Sequence, residues 1–377
     1  MLPRFSHALW MIVTLAQVAG CGGAPTRKPA ELTDFASTAT LKLLWDGSVD
    51  SAGTDVFYPR VSGSVVYAAG SGGSVTGFDK ASGSTAVNFE AGERISGGVG
   101  VAEGLVLLGT SKGQVLAFSR EGKPLWQAQL SGEVLSPPES QEGIIVARTG
   151  DGRIHGLDAA TGKRRWIYQR ATPALSVRTH AGVVVIQGGV FAGFPGGRLV
   201  ALALANGNIG WEAVVALPRG TTELERVADV TSLPVIDGKQ VCAAAFQGRV
   251  ACFDAFRGTL LWARDVSSIA GIAVDARYLY VTDDKDAVQA LDKTSGASIW
   301  RQDRLAGRSV TGPLALGRHV VVGDFEGYVH LLSREDGSFA ARVQTDSSGI
   351  LAPAIALDAT SFLVQTRSGG IYAITVQ

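Results

Sequence analysis

Two cysteines flank a predicted hairpin turn and could form a covalent bond. Cys242 and Cys252 lie on either side of residues 246–249, where Gly248 marks the turn. If the two face each other in a non-hydrogen-bonded pair, they are close enough for a disulfide, which is typical of exported proteins. A register shift of one residue would place them on opposite faces of the sheet. The pattern therefore leaves two interpretations open, a disulfide or two small buried side chains.

The other residues that could carry chemistry do not form a catalytic or metal-binding pattern. Asp283, Asp284 and Asp286 resemble a calcium loop, but the alternating ligands and the closing glutamate are missing, which favours a hairpin tip. The histidines beyond the first 40 residues are dispersed and do not have the H-E-x-x-H spacing of a zinc site. They are His155, His180, His319 and His330. We predict a protein that is not an enzyme and holds no metal and no cofactor.

The N-terminal residues have the features of a bacterial export signal. Arg4 precedes an apolar run at residues 8–16, which is too short to span a membrane. Residues 18–20 are small and precede Cys21, as in the lipobox of bacterial lipoproteins, where the cysteine receives lipid, palmitate included. We predict a lipoprotein signal peptide at residues 1–20 and lipidation of Cys21; the alternative is an ordinary secretory signal with a chance cysteine. Each buried CH₂ of such a lipid contributes about 0.8 kcal/mol, so several acyl chains anchor a protein firmly.

Composition narrows the classes of partner. Residues 21–39 are rich in Gly, Pro, Thr and Ala with little apolar pattern, which predicts a flexible tether. The chain has 34 basic and 34 acidic residues, so no net charge points to nucleic acid. Gly22 after the cysteine is, among lipoproteins, typical of delivery to the outer membrane. The expected location is the periplasmic face of that membrane.

A repeated phrase indicates which elements position these residues. A tryptophan follows a glycine by four residues in five copies, namely Gly122–Trp126, Gly162–Trp166, Gly207–Trp211, Gly258–Trp262 and Gly296–Trp300. Two more copies carry Val87 and Ala341 at the tryptophan position. Residues 40–377 divide into eight copies of about 42 residues, the length of a four-stranded propeller blade. Each copy consists of short strands rich in Val, Ile and Leu, separated by Gly, Asp and Ser.

The ends of the repeat predict how the ring closes. The last copy begins near Gly369 without a final strand, and residues 41–45 look like that strand. We therefore predict an all-β, eight-bladed β-propeller of four-stranded antiparallel blades over residues 40–377. The N-terminal strand would complete the last blade by pairing near Tyr372, which leaves no open sheet edge at the seam. The tryptophans, Trp45 included, are expected to pack between neighbouring blades.

Local phrases carry a resemblance to known families. The repeat at residues 157–166 resembles those of pyrroloquinoline-quinone (PQQ) propellers, a group that includes quinoprotein dehydrogenases. The lipobox, the eight copies and the phrases at 220–230, 322–330 and 346–349 are similar to the family of the outer membrane protein assembly factor BamB. Adjacent cysteines, which the dehydrogenases carry above their cofactor, do not occur here. The resemblance to the assembly factors implies a scaffold lipoprotein of the β-barrel assembly machinery.

The resemblance also implies a partner site. The longest copies have insertions at residues 167–196 and 212–234, and such insertions often build a binding face. In the BamB family these regions bind the POTRA domains of the central barrel subunit, BamA. The contact residues that the resemblance implies here are Leu175, Val177, Arg178 and Asp229. Glu225 and Arg226, charged residues of the loop at 219–229, are further candidates for the binding face, and the alternative for them is a solvated loop. Thr231 stands where the family has a second acidic residue.

Three further interpretations remain open at this point. Unfolded β-barrel clients could add a strand to an exposed sheet edge, although no residue of this sequence points to it. A PQQ-dependent periplasmic dehydrogenase and a periplasmic binding propeller with another partner are the alternative functions.

Overall fold

The computed structural model describes residues 28–171 and 173–377, which form strands and no α-helix. The predicted signal peptide and Cys21 lie outside the described residues. In chain order the strands are β1 (Leu41–Ser48), β2 (Arg60–Ser62), β3 (Val65–Ala69), β4 (Ser74–Asp79), β5 (Thr85–Glu90), β6 (Gly97–Ala102), β7 (Leu105–Gly109), β8 (Gln114–Ser119), β9 (Pro124–Gln129), β10 (Glu139–Gln141), β11 (Ile144–Arg148), β12 (Arg153–Asp158), β13 (Arg164–Gln169), β14 (Val184–Ile186), β15 (Gly189–Phe194), β16 (Arg198–Ala203), β17 (Ile209–Val214), β18 (Val235–Asp237), β19 (Gln240–Ala244), β20 (Val250–Asp254), β21 (Leu260–Arg264), β22 (Gly271–Val274), β23 (Tyr278–Thr282), β24 (Val288–Asp292), β25 (Ser298–Gln302), β26 (Leu314–Leu316), β27 (His319–Gly323), β28 (Tyr328–Ser333), β29 (Phe339–Gln344), β30 (Ile355–Ala356), β31 (Ser361–Gln365) and β32 (Gly370–Val376).

These strands form eight four-stranded antiparallel sheets, which are the blades of a propeller. Blades 1 to 7 take successive groups of four strands, from β2–β5 in blade 1 to β26–β29 in blade 7. The first strands of several adjacent blades contact one another and surround the central channel. The predicted eight-bladed propeller is therefore confirmed.

Blade 8 joins the two ends of the described chain. Its order is β1-β32-β31-β30, so the N-terminal strand is the outermost strand. Leu41 pairs with Val376 and Asp46 pairs with Tyr372, with one register shift between Leu43 and Trp45. The predicted closure is confirmed, and the edge of β32 that would otherwise be open is hydrogen-bonded.

Tryptophans hold neighbouring blades together. Trp166 of blade 3 lies against the turn glycine of blade 4, Gly207, which has a φ of 71°. A Cβ added at Gly207 would approach the Trp166 ring to 2.5 Å, so only glycine fits under the ring. Trp166 Nε1 donates a hydrogen bond to the Leu204 carbonyl at 2.8 Å, which fixes the orientation of the indole. The same arrangement recurs at Trp45–Gly83, Trp126–Gly162, Trp211–Gly258, Trp262–Gly296 and Trp300–Gly337.

Two junctions depart from this pattern. Between blades 1 and 2, Phe89 takes the place of the tryptophan and packs against Gly122. Between blades 7 and 8, the N-terminal arm (residues 28–40) crosses the junction, and the Thr38 amide donates to the Ala340 carbonyl at 2.9 Å. In the sequence, Phe89 stands two positions after Val87, which occupies the tryptophan position of this repeat. This nearby aromatic residue was the available signal.

The N-terminal arm lies against the ring. The Ala30 amide donates to the Ala306 carbonyl at 2.8 Å, and the Phe35 ring stacks on Phe339 at 5.3 Å between centroids. The Arg342 guanidinium lies 5.1 Å from the centre of the Phe35 ring. Contacts with the propeller therefore begin about ten residues before the boundary predicted at residue 40. None of the described residues form a helix of the length and hydrophobicity that crossing a bilayer requires.

Candidate docking surface

The two insertions meet on one face of the ring. The bridging segment (residues 173–183) connects β13 of blade 3 to β14 of blade 4 without forming a strand. The long loop (residues 215–234) connects β17 of blade 4 to β18 of blade 5. Both connect an outermost strand to the innermost strand of the following blade, so both lie at the same end of the channel.

Asp229 of the long loop holds the bridging segment in place. Its Oδ2 accepts a hydrogen bond from the Val177 amide at 2.7 Å, and its Oδ1 accepts one from the Gly196 amide at 3.0 Å. Asp229 is only 2% exposed. A buried carboxylate that satisfies two backbone donors is a brace for the loop, and its side chain is not displayed to a partner.

The neighbouring apolar and basic side chains are displayed. Leu175 is 43% exposed, and the Arg178 side chain is 56% exposed. Arg178 makes a two-point contact with Glu133, with Nε–Oε1 at 3.2 Å and Nη2–Oε2 at 3.0 Å. The hydrogen bond to Glu133 raises the pKa of Arg178, which keeps its positive charge at every physiological pH. Arginine is among the residues enriched in interface hot spots, and Leu175 adds exposed apolar area beside it.

Val177 lies between Leu175 and Arg178 in the bridging segment and is half-buried. Its amide donates the hydrogen bond to Asp229. The structure therefore brings four of the six predicted contact residues together: Leu175, Val177, Arg178 and, as a support, Asp229.

Glu225 and Arg226 shape their own loop. Glu225 Oε2 accepts hydrogen bonds from the amides of Thr221 and Thr222 at 2.8 and 3.1 Å. These backbone hydrogen bonds lower the pKa of Glu225. Arg226 Nε donates to the Gly220 carbonyl at 3.1 Å. Both residues are exposed, and in the described part of the chain their side-chain hydrogen bonds and ion pair are made within the long loop.

Thr231 joins the two insertions through its backbone. The Thr179 hydroxyl donates to the Thr231 carbonyl at 2.6 Å, and Thr231 itself is buried. Its own hydroxyl lies 3.4 Å from the Ser268 carbonyl. Thr231 therefore supports the bridging segment from below, next to the brace that Asp229 provides.

An apolar depression lies beside the bridging segment, at the mouth of the central channel. It has a volume of about 600 Å³ and is lined by loops of blades 1 and 4 to 8. Leu233, Ile269 and Leu351 line it and remain 38%, 47% and 40% exposed. These three residues are not predicted from the sequence, since each stands alone in a different repeat; the available signal is that each lies shortly before the first strand of a blade. Together with Leu175 they give this face an apolar character.

His180 lies at the edge of the same depression. Its Nε2 is 3.9 Å from Asp55 Oδ1. Burial lowers the pKa of His180 and the neighbouring Arg178 lowers it further, with Asp55 opposing both, so the imidazole is neutral near pH 7. Within residues 28–171 and 173–377, no group of three or more His, Cys, Asp or Glu side chains is arranged to hold a metal ion.

The two cysteines of blade 5 form a disulfide. Cys242 of β19 pairs directly with Cys252 of β20, and a disulfide joins them. Both are buried in the core beside Trp262. The bond ties together the two middle strands of blade 5.

The fold and this face define a propeller of PQQ-like repeats with a surface suited to protein binding. A family profile described as outer membrane protein assembly factor BamB matches residues 71–302. A protein of that name from Nitrosomonas eutropha is 44% identical over 349 residues, covering 92% of this chain and 85% of the relative. One from Bordetella pertussis is 41% identical, covering 92% of this chain and 90% of the relative. The chain belongs to the outer membrane protein assembly factor BamB family.

Solved structures agree with this assignment. The crystal structure of BamB from Moraxella catarrhalis matches with a TM-score of 0.82 and 25% identity, covering 89% of this chain and 100% of that one. Quinohemoprotein alcohol dehydrogenase from Comamonas testosteroni matches with a TM-score of 0.73 at 13% identity, covering 89% and 76%. The second similarity shows a shared fold alone.

Proposed function

We propose that this protein is a non-catalytic scaffold of the outer-membrane β-barrel assembly machinery. Its partner would be the central barrel subunit, BamA, held through its periplasmic POTRA domains. In this role the propeller assists the assembly and insertion of outer-membrane β-barrel proteins. Lipid on Cys21 would anchor it to the periplasmic face of the outer membrane.

The observation that supports the proposal is the braced bridging segment. Docking requires a surface whose backbone is already held in its bound shape, because ordering a loop on binding costs affinity. Asp229 supplies that support through the Val177 and Gly196 amides, so Leu175 and Arg178 project from a fixed backbone. The apolar side chain contributes buried area, and the arginine gives orientation through charge.

A charge reversal at Arg178 tests the proposal. Arg178→Glu places a carboxylate opposite Glu133, which repels it, and removes the displayed cation. We expect co-purification of BamA to fall at least tenfold, the scale of a hot-spot residue. The matched control is Arg277→Glu, since Arg277 is similarly exposed and also paired with a glutamate, Glu335, but lies on blade 6. Unchanged co-purification by the Arg178 variant, with normal folding, would refute the site.

The alternative functions have their own outcomes. The shared fold with quinohemoprotein enzymes is the observation behind a dehydrogenase. The test is an absorption spectrum of the purified protein after PQQ and calcium are added. A dehydrogenase would show the absorbance of the bound quinone, and we expect this protein not to show it. Site-specific crosslinking from position 178 in intact cells would identify a different partner if the propeller serves another assembly.

A further inference from the structure

A second cavity lies beneath the bridging segment, and a buried arginine forms part of its wall. The cavity has a volume of about 190 Å³ and adjoins the channel mouth, with which it shares the bridging-segment residues Val177, Arg178, Thr179 and Ala181. Arg148, the last residue of β11, is 7% exposed and lines this cavity. The volume is that of about six water molecules, enough for a carboxylate or a phosphate group.

Arg148 lacks the partner that a buried cation normally has. Its Nη1 donates one hydrogen bond, to the Ala181 carbonyl at 3.2 Å, and its guanidinium lies 5.0 Å from the centre of the Phe194 ring. No carboxylate of residues 28–171 or 173–377 forms an ion pair with it, and the remaining residues of the chain include no Asp or Glu. The carboxylate that shares the cavity, Glu133, is engaged on both oxygens by Arg178.

A buried charge without a carboxylate partner lowers stability, because the free energy of its lost hydration is not recovered in an ion pair. Burial lowers the pKa of Arg148 to about 10, which still leaves the guanidinium charged near pH 7. Buried charges are normally paired, and an arginine fork matches the two oxygens of a carboxylate. Ser136 and Ser176 line the same cavity, and their hydroxyls could add hydrogen bonds to an oxyanion.

We propose that Arg148 and this cavity form a binding site for a carboxylate, supplied by an acidic side chain of the docking partner. The inference rests on the proposed function, because the cavity opens beside the residues that would contact that partner. Leu175 would then contribute the apolar contact, and Arg148 would receive the partner's charge beneath the bridging segment. Arg178 would remain the exposed cation at its rim.

Affinity measurements on the full mature protein test the partner's contribution. Arg148→Met keeps the length of the side chain and removes the charge, so the dissociation constant for the POTRA domains should rise about 10- to 100-fold. Arg148→Lys keeps the charge but loses the forked guanidinium group. Its dissociation constant should lie between those of the wild type and Arg148→Met. Arg165→Met is the matched control, since Arg165 is an exposed arginine of β13 in the same blade, paired with Asp158. Wild-type affinity in the Arg148→Met variant would overturn the inference and leave the proposed function standing.

Titration of the free protein tests the anion site without a partner. The Arg148 Nε–H signal in a nitrogen-15 NMR spectrum should shift saturably with sodium acetate and stay unchanged with sodium chloride. No shift with acetate would overturn the site. A shift with sodium phosphate alone would overturn the carboxylate assignment and indicate a free phosphate site.

The two experiments separate the possible failures. If the wild-type protein does not bind the POTRA domains, the proposed function fails and the acetate titration decides on the anion site. Removing an unpaired buried charge should leave the thermal midpoint of Arg148→Met equal or higher. If that variant is instead destabilised, the acetate titration, which uses the wild-type protein, decides.

Discussion

At the scale of single residues, the docking surface divides into side chains that are displayed and side chains that support them. Leu175 and Arg178 are exposed, whereas Asp229 is buried under them. Sequence similarity alone treats the three as equivalent contact residues. Because Asp229 holds the Val177 amide, we expect a substitution at Asp229 to act through the backbone of the bridging segment.

Asp229→Ala should weaken partner binding although the Asp229 side chain is buried. The change leaves the Val177 and Gly196 amides without their acceptor, and each unsatisfied buried donor costs about 1–3 kcal/mol. We expect faster hydrogen exchange at the Val177 amide and at least a fivefold loss of affinity for the POTRA domains.

Asp254→Ala is the matched control for this loss. Asp254 Oδ1 also accepts two backbone hydrogen bonds, from Phe256 and Arg257, in a hairpin at the opposite end of the channel. Its loss should lower stability and leave affinity unchanged. Equal effects of the two variants on affinity would mean that bracing of the bridging segment is not what Asp229 contributes.

At the scale of elements, the repeat works because one aromatic side chain and one glycine meet at each blade junction of this kind. The indole covers the turn of the next blade, and its N–H satisfies a carbonyl of that turn. The spacing of four residues places the tryptophan on the outermost strand, directed toward the following blade. The junction is therefore encoded locally, in each repeat.

Gly207→Ala should be more destabilising than Gly188→Ala. Both glycines have nearly the same φ, 71° and 73°, so both substitutions carry a similar backbone penalty of about 1 kcal/mol. A methyl group added at Gly188 would meet open space, whereas at Gly207 it would meet the Trp166 ring. We expect an extra loss of about 1–3 kcal/mol at Gly207, measured by chemical denaturation. Similar losses would show that the tryptophan moves aside without cost.

Much of this architecture can be predicted from the sequence, for identifiable reasons. The Gly–Trp spacing, the strand composition and the incomplete last copy are local patterns, and they predict the blades and the closure. The brace at Asp229 joins residues 52 positions apart, and the arm at Ala30 contacts Ala306. Such pairings depend on how the whole ring brings loops together, so no local pattern indicates them. The unpaired environment of Arg148 is invisible in sequence for the same reason.

At the scale of the whole molecule, the ring depends on one strand that comes from the far end of the chain. β1 supplies the outermost strand of blade 8, and Trp45 packs into blade 1. The two ends of the described chain are therefore held in one sheet. Closing the ring links the packing of blade 8 to that of blade 1.

Trp45→Ala should destabilise the whole propeller. Trp45 is 6% exposed and fills the junction between blades 8 and 1, so its loss should cost about 3–5 kcal/mol. Leu44→Ala is the control, because Leu44 is the adjacent residue of the same strand but is 49% exposed, and it should cost less than about 1 kcal/mol. Guanidinium denaturation followed by tryptophan fluorescence and circular dichroism would measure both. A small loss at Trp45 would mean that the seam is not essential to ring stability.

The docked N-terminal arm has a consequence for orientation. Lys28 lies beside Gly307, in the connection between blades 6 and 7 whose continuation lines the channel mouth. Residue 21 is seven positions earlier, so even a fully extended chain spans at most about 25 Å. With lipid on Cys21, the propeller would be anchored through a short segment, and its channel mouth would be held near the bilayer surface. A partner that enters from that membrane would then find the face bearing Leu175 already within reach.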